Sequence, residues 1–138
     1  MIDLKLRLNE PALLELVSLS IGNPTPERLE QICQRYRQHS RWKIMGYESD
    51  GRVIGCIGIE ISEPTQGVVR CISVLPSERN KGIGRSMLNE IVELTGLTSL
   101  IAETDREAVD FYQKCGFQVE SLGEIYPHVE RFRCFKSF

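Results

Sequence analysis

The sequence has no Cys-x-x-Cys pair and only two histidines, so recognisable metal-ligand spacing is missing from its 138 residues. Its five cysteines, Cys33, Cys56, Cys71, Cys115 and Cys134, are odd in number and far apart, which also excludes a disulfide framework. Each lies in an apolar helical or strand pattern and reads as a small buried hydrophobe suited to a reducing cytoplasm. Long hydrophobic runs are lacking too. The longest, Val53 to Ile59, contains two glycines and falls far short of the roughly 20 residues of a membrane helix. Charges at Asp3, Lys5 and Arg7 break up the N-terminus and leave no signal-peptide core. There is no basic tract: the 17 basic residues are spread along a chain of net charge −2, so a nucleic-acid backbone is not an expected partner. The expectation is a soluble, cytoplasmic protein with no metal, nucleic acid or membrane partner.

What is present suffices for one core. A hydrophobic content of 41% over residues 1–138 fits a single domain. Asn9 and Pro11 predict the start of a short helix carrying Leu13, Leu14 and Leu16 toward Gly22. Thr25, Pro26 and Glu27 open a second helix, with Leu29, Ile32, Cys33 and Tyr36 on its stripe. Between Trp42 and Ile61 two strand-like runs flank Asp50-Gly51, a hairpin signal. The strand Val68–Leu75 is stopped by Pro76. Ile83, Met87, Ile91 and Leu94 then share a helical face ending at Gly96, and the strand Leu100–Glu103 follows. Strand, helix and strand in so short a segment predict two parallel neighbours. Thr104 and Glu107 read as a capping box for a fourth helix, in which Ala108, Phe111, Tyr112 and Cys115 form a stripe up to Gly116. Phe117–Ser121 and Arg131–Phe135 then complete the sheet as an antiparallel pair across a Gly123–His128 loop. The fold class is α/β.

The chemistry concentrates between the middle strand and its helix. Arg79-Asn80-Lys81-Gly82-Ile83-Gly84-Arg85-Ser86 sets two glycines at a helix start, where up to four backbone N–H groups lack intrahelical partners and an anion can be held. Arg79, Lys81 and Arg85 add positive charge, and a Cβ at either glycine would be expected to keep a phosphate away. A nucleoside-triphosphate loop is excluded because Gly-x-x-x-x-Gly-Lys-Ser/Thr is absent. Met87 stands where a dinucleotide fingerprint needs its third glycine.

Val74-Leu75-Pro76-Ser77-Glu78-Arg79-Asn80-Lys81-Gly82-Ile83-Gly84 resembles the central motif of the GNAT acetyltransferase superfamily, Gln/Arg-x-x-Gly-x-Gly/Ala. Asp105-Arg106-Glu107-Ala108-Val109-Asp110-Phe111-Tyr112-Gln113-Lys114-Cys115-Gly116-Phe117 resembles the family's later helix motif, Asn-x-x-Ala-x-x-Phe-Tyr-x-x-x-Gly-Phe. Together the motifs cover the central half of the chain. The resemblance implies a mixed, mostly antiparallel twisted sheet with a splayed parallel pair in its middle and about four helices on its two faces. It implies acetyl-CoA in the cleft between the parallel strands. Backbone at Ile72, Ser73 and Val74 would meet the pantetheine arm and the acetyl carbonyl, and Arg79 through Ser86 the pyrophosphate. Tyr112 would stand near the thioester sulfur as general acid.

Two departures limit the transfer. Asp105 takes the place of the asparagine that meets the coenzyme; its carboxylate accepts but cannot donate, so capping a helix suits it better. Val68 stands where some histone-acetylating members carry a base glutamate. Glu60, Glu63, Glu103 and His128 are the remaining base candidates, with Glu103 first because it ends the strand bordering the cleft. Arg70, two residues before Ile72, is expected by alternation on one face with Val68, Ile72 and Val74, where it would recognise a substrate carboxylate or phosphate or pair with a nearby glutamate. The function implied is transfer of an acetyl group to a primary amine; the alternative is a non-catalytic acyl-CoA sensor. Phe132, Phe135 and Phe138 would suit a homodimer interface if exposed.

Overall fold

The computed structural model describes residues 1–138. The chain runs β1 (Ile2–Asp3), α1 (Pro11–Ser18), α2 (Pro26–Gln38), β2 (Trp42–Ser49), β3 (Arg52–Glu63), β4 (Gln66–Val74), α3 (Ile83–Thr95), β5 (Ser99–Asp105), α4 (Val109–Lys114), β6 (Gln118–Tyr126) and β7 (Val129–Ser137). The strands form one sheet in the order β1-β2-β3-β4-β5-β7-β6. Local chemistry sets most of the joints. Asp50 and Gly51, at φ of 53° and 75°, make the tight turn between β2 and β3. Gly96, at φ of 74°, caps the end of α3.

The crossover through α3 makes β4 and β5 parallel, and every other pair is antiparallel. The parallel contact is short. Only Gln66, Gly67 and Val68 pair with Ser99, Leu100 and Ile101, although β4 continues to Val74 and β5 to Asp105. Beyond Val68 the two strands diverge and open a cleft in the middle of the sheet.

Two apolar clusters cover the two faces. On one side Leu13, Leu16 and Val17 of α1 and Cys33 and Tyr36 of α2 pack on Ile44, Cys56 and Cys71. On the other, Ile83, Met87, Leu88 and Ile91 of α3 and Tyr112 of α4 pack on Ile57, Ile59, Val69, Leu100 and Ala102. All five cysteines are buried and unpaired.

Several expected boundaries differ. Glu10, not Asn9, occupies the N-cap of α1, and Pro11 is the first helical residue. The proposed capping box does not form: Thr104 lies buried inside β5, and Asp105 instead holds the turn before α4, its Oδ1 accepting from the amides of Glu107 and Ala108 at 3.0 Å each, while Ala108 is the N-cap of the helix and has no side-chain cap. The final hairpin extends far into the expected loop, leaving Pro127 and His128 between strands that reach Tyr126 and Val129. Phe132 packs against the larger cluster and Phe135 is half-buried, so of the three C-terminal phenylalanines only Phe138 is exposed.

Arg70 is also placed differently. The register between β3 and β4 pairs Gly58 with Cys71 but Ile59 with Val69, leaving Arg70 as the extra residue of a β-bulge. The bulge reverses the alternation. Val69 belongs to the α3 side, Cys71 to the α1 side, and Ile72 and Val74 return to the α3 side. Arg70 therefore shares with Val68 the face carrying α1 and α2, and Ile72 and Val74 point the other way.

Candidate functional site

Strand polarity dictates what lines the cleft. The amide of Leu75 donates to the Ile54 carbonyl at 2.9 Å, so Leu75 is bonded toward β3 and, by alternation, the backbone groups of Ile72 and Val74 face the opening. β5 has already diverged there. The Val74 carbonyl accepts instead from Arg79 Nε at 3.0 Å, which folds the guanidinium back over the end of the strand. Ser73 faces away: its Oγ donates to the Leu16 carbonyl at 2.6 Å, tying β4 to α1.

At the wide end of the cleft the chain passes through a short turn of 3-10 helix, Pro76–Glu78, and enters α3. Asn80 and Gly82 both lie in the left-handed region, at φ of 64° and 79°. Gly82 is the N-cap and supplies no side chain to cap the helix. Ser86 is the first residue whose amide is bonded back, to the Gly82 carbonyl at 3.0 Å, so the amides of Ile83, Gly84 and Arg85 have no partner in the fold. Three free donors and a positive helix end suit a diphosphate. The glycines serve this in different ways. A methyl at Gly82 would meet no protein atom within 4 Å, and glycine is needed there for the backbone angle; at Gly84 it would lie 2.8 Å from the Phe111 ring. Packing on α4, beyond clearance for phosphate, thus explains the second glycine.

The basic side chains of the loop are partly engaged. Lys81 Nζ pairs with Glu78 at 2.9 Å, and Arg85 donates to the Lys114 carbonyl at the end of α4. Both are exposed, where such contacts exchange readily with solvent or a ligand.

Tyr112 is 5% exposed, its ring edge-on to Phe111 and Phe117 at centroid distances of 5.1 and 5.2 Å. Burial pushes its phenol above the ordinary tyrosine range, with smaller contributions from thiols on both sides of the opening, Cys134 on β7 and Cys71 on β4. Its hydroxyl makes no hydrogen bond within the fold, yet it is not among the fully enclosed unpaired atoms, unlike that of Tyr36. The group therefore stays neutral and keeps a free donor.

Glu103 is exposed on β5, opposite Arg133 of β7. Since Val68 pairs with Ile101, Glu103 stands level with Arg70 across the opening. Its neighbours Ala102 and Thr104 are buried, and Ala102 belongs to the α3 and α4 side, so Glu103 is on the opposite face with Arg70. Asp105 is occupied by the amides of Glu107 and Ala108 in the turn before α4. Arg70 Nε and Nη2 both donate to Glu60 Oε1, at 3.1 and 2.6 Å. Two contacts at these residues join positions remote in the chain: Phe111 lies behind Gly84 and Trp42 beneath Arg70. A lone tryptophan at the start of a strand was the only available hint of the second.

Residues 40–119 match the family described as acetyltransferase (GNAT) domain. The chain is 26% identical over 100 residues to an uncharacterised N-acetyltransferase encoded in the lysA 3'region of Bacillus methanolicus, covering 72% of this chain and 82% of that one. It is 32% identical over 91 residues to the N-alpha-acetyltransferase RimI of Mycobacterium tuberculosis, covering 62% and 58% of the two chains. A GNAT family acetyltransferase from Elizabethkingia anophelis, solved with acetyl-CoA bound, superposes with a TM-score of 0.69 over 90% of this chain and 89% of that one, at 15% identity. With more than half of its length matched, and with the diverging parallel strands and glycine loop in place, this chain belongs to the GNAT acetyltransferase family.

Proposed function

We propose that the protein is an acetyl-CoA-dependent N-acetyltransferase acting on a primary amine, with the coenzyme lying along the cleft between β4 and β5. The observation that carries this reading is the opening formed where β4 and β5 part beyond Val68, with the outward backbone of Ile72 and Val74 on its edge and the unbonded amides of Ile83, Gly84 and Arg85 at the helix start that follows. The amides, with Arg79, Lys81 and Arg85, hold the diphosphate, and Asn80 and Gly82 provide the curvature that turns them toward it. The coenzyme supplies an acetyl thioester activated toward nucleophiles.

The acceptor attacks directly as a neutral amine. An alkylammonium of pKa about 10.4 must lose its proton at a cost of about 4.6 kcal/mol at pH 7. Glu103, exposed at the border of the cleft, receives that proton through water. The backbone N–H of Ile72 or Val74 donates to the developing oxyanion. Tyr112 donates to the departing sulfur, and its raised pKa guarantees the protonated form while making full proton release costlier than for an ordinary phenol.

Calorimetry with acetyl-CoA, CoA and NAD, followed by thiol release on an amine panel, tests the proposal. We expect micromolar acetyl-CoA binding, no NAD binding, and a Tyr112→Phe variant whose turnover drops about ten- to a hundredfold at nearly unchanged coenzyme affinity. Val68, with no carboxylate on β4, favours one competing reading, an acyl-CoA sensor. Tight coenzyme binding with no thiol release on any amine would establish the sensor instead.

A further inference from the structure

Trp42, the only tryptophan in the chain, begins β2 on the face that carries α1 and α2. Two guanidiniums lie on it: the central carbons of Arg70 and Arg35 are 5.5 and 5.6 Å from its ring centroid. The Tyr36 ring meets it edge-on at 5.4 Å and fixes the indole from beneath. A cleft of about 240 Å³ adjoins it, lined by His39, Ser40, Arg41, Trp42 and Glu60.

The charges at this spot do not balance. Arg35, Arg41 and Arg70 gather around Trp42 and its cleft against two carboxylates, Glu60, which pairs with Arg70, and Glu103, level with Arg70 across the opening, in a chain whose net charge is −2. Arg35 and Arg41 have no ion pair, whereas Arg37 on the same helix is paired with Glu30. Glu60 does not use up Arg70, because it takes Nε and Nη2 through one oxygen and leaves Nη1 free. A guanidinium stacked on an indole has its plane fixed and its N–H edge open, the arrangement that grips a carboxylate.

The location ties this cluster to the reaction. Arg70 is the bulged residue of β4, two positions before Ile72, about 7 Å along the strand. The cleft meets this cluster at Trp42 and Glu60 and is not itself lined by Arg35 or Arg70; at about 30 Å³ per water it holds the equivalent of about eight waters, enough for the few carbons of a substrate whose anion lies on the guanidiniums beside it.

We infer that Trp42, Arg35 and Arg70 form an acceptor subsite for a carboxylate, so that the substrate is a small primary amine bearing a carboxylate a few bonds from its nitrogen. This rests on the acetyltransferase reading for the role of acceptor, but not for the binding of the anion.

Because Trp42 is unique, its fluorescence reports the subsite without turnover. N-acetyl-β-alanine, an anionic probe with no amine, should change the emission saturably, and its primary amide should bind at least about tenfold more weakly, the loss of one charge-assisted contact. Arg35→Gln and Arg70→Gln should each weaken the carboxylate probe by about tenfold while retaining the wild-type circular dichroism spectrum. In the kinetic arm, kcat/KM for β-alanine over β-alaninamide should exceed about ten and fall toward one in Arg35→Gln, a ratio taken within each variant that cancels any common loss. Equal affinity for the two probes, or undiminished discrimination in both variants, overturns the inference. Carboxylate-selective binding with no thiol release on any amine upholds the subsite and overturns the acetyltransferase reading.

Discussion

A methyl group added at Gly84 would press on the far edge of the Phe111 ring, and that ring meets Tyr112 edge-on. Gly84→Ala is therefore expected to lose about 1–3 kcal/mol of stability by overpacking and also to lower turnover, because the shift passes to the tyrosine. Gly82→Ala should behave differently. With open space around it but φ of 79°, it should lose about 1–2 kcal/mol through the backbone alone and carry most of its functional defect in coenzyme affinity. Urea unfolding and calorimetric titration of the two variants separate these outcomes. The motif made both glycines legible in the sequence, but not the reason for the second, since the Phe111 contact joins residues remote in the chain.

Among the elements, the turn that leads from β5 into α4 depends on Asp105. Replacing Asp105 with alanine removes two hydrogen bonds from the amides of Glu107 and Ala108 and should lower stability by about 1 kcal/mol, read as a fall in melting temperature. Replacing Thr104, a strand residue, should leave the helix start intact. The sequence offered both as caps, and hydrophobic periodicity ended β5 too early. The missing end residues, Thr104 and Asp105, are polar, yet Asp105 pairs with Arg131 across the β5–β7 ladder, a complementarity visible only once the register is known. β6 is exposed along nearly its whole length, and its second half, beyond Ser121, was hidden for a related reason, with Gly123 and the polar residues around it suggesting a loop. The bulge at Arg70 had no glycine or proline to announce it, so simple alternation assigned the wrong face to the residues beyond. The crossover, the Asp50-Gly51 turn and the glycine loop were readable because local backbone chemistry fixes each of them.

For the whole molecule, the buried phenols set the response to alkali. Burial raises Tyr36 and Tyr112 above the ordinary value near 10, so the unfolded chain releases these protons first. Their contribution is complete below about pH 10 and declines as pH rises beyond it, at up to about 1.4 kcal/mol per pH unit for each group. Denaturant midpoints measured from pH 8 to 11 should fall most steeply above pH 10. The thiols begin the decline earlier, because burial also raises Cys33, Cys115 and Cys134. For the same reason a disulfide reagent should titrate few thiols in the native protein and five after unfolding.

The three-residue contact between β4 and β5 makes the sheet two panels stitched along a short seam. A coenzyme arm lying beyond the last stitch would act as thread, bonding the loose edge at Ile72 and Val74 and drawing the panels together. Amide hydrogen exchange at those two residues should then slow on saturation, and the protein should gain about 2.7 kcal/mol of stability at a hundredfold excess over Kd. On this view the thioester donor does architectural service before it reacts, and the unladen chain is the looser of the two forms.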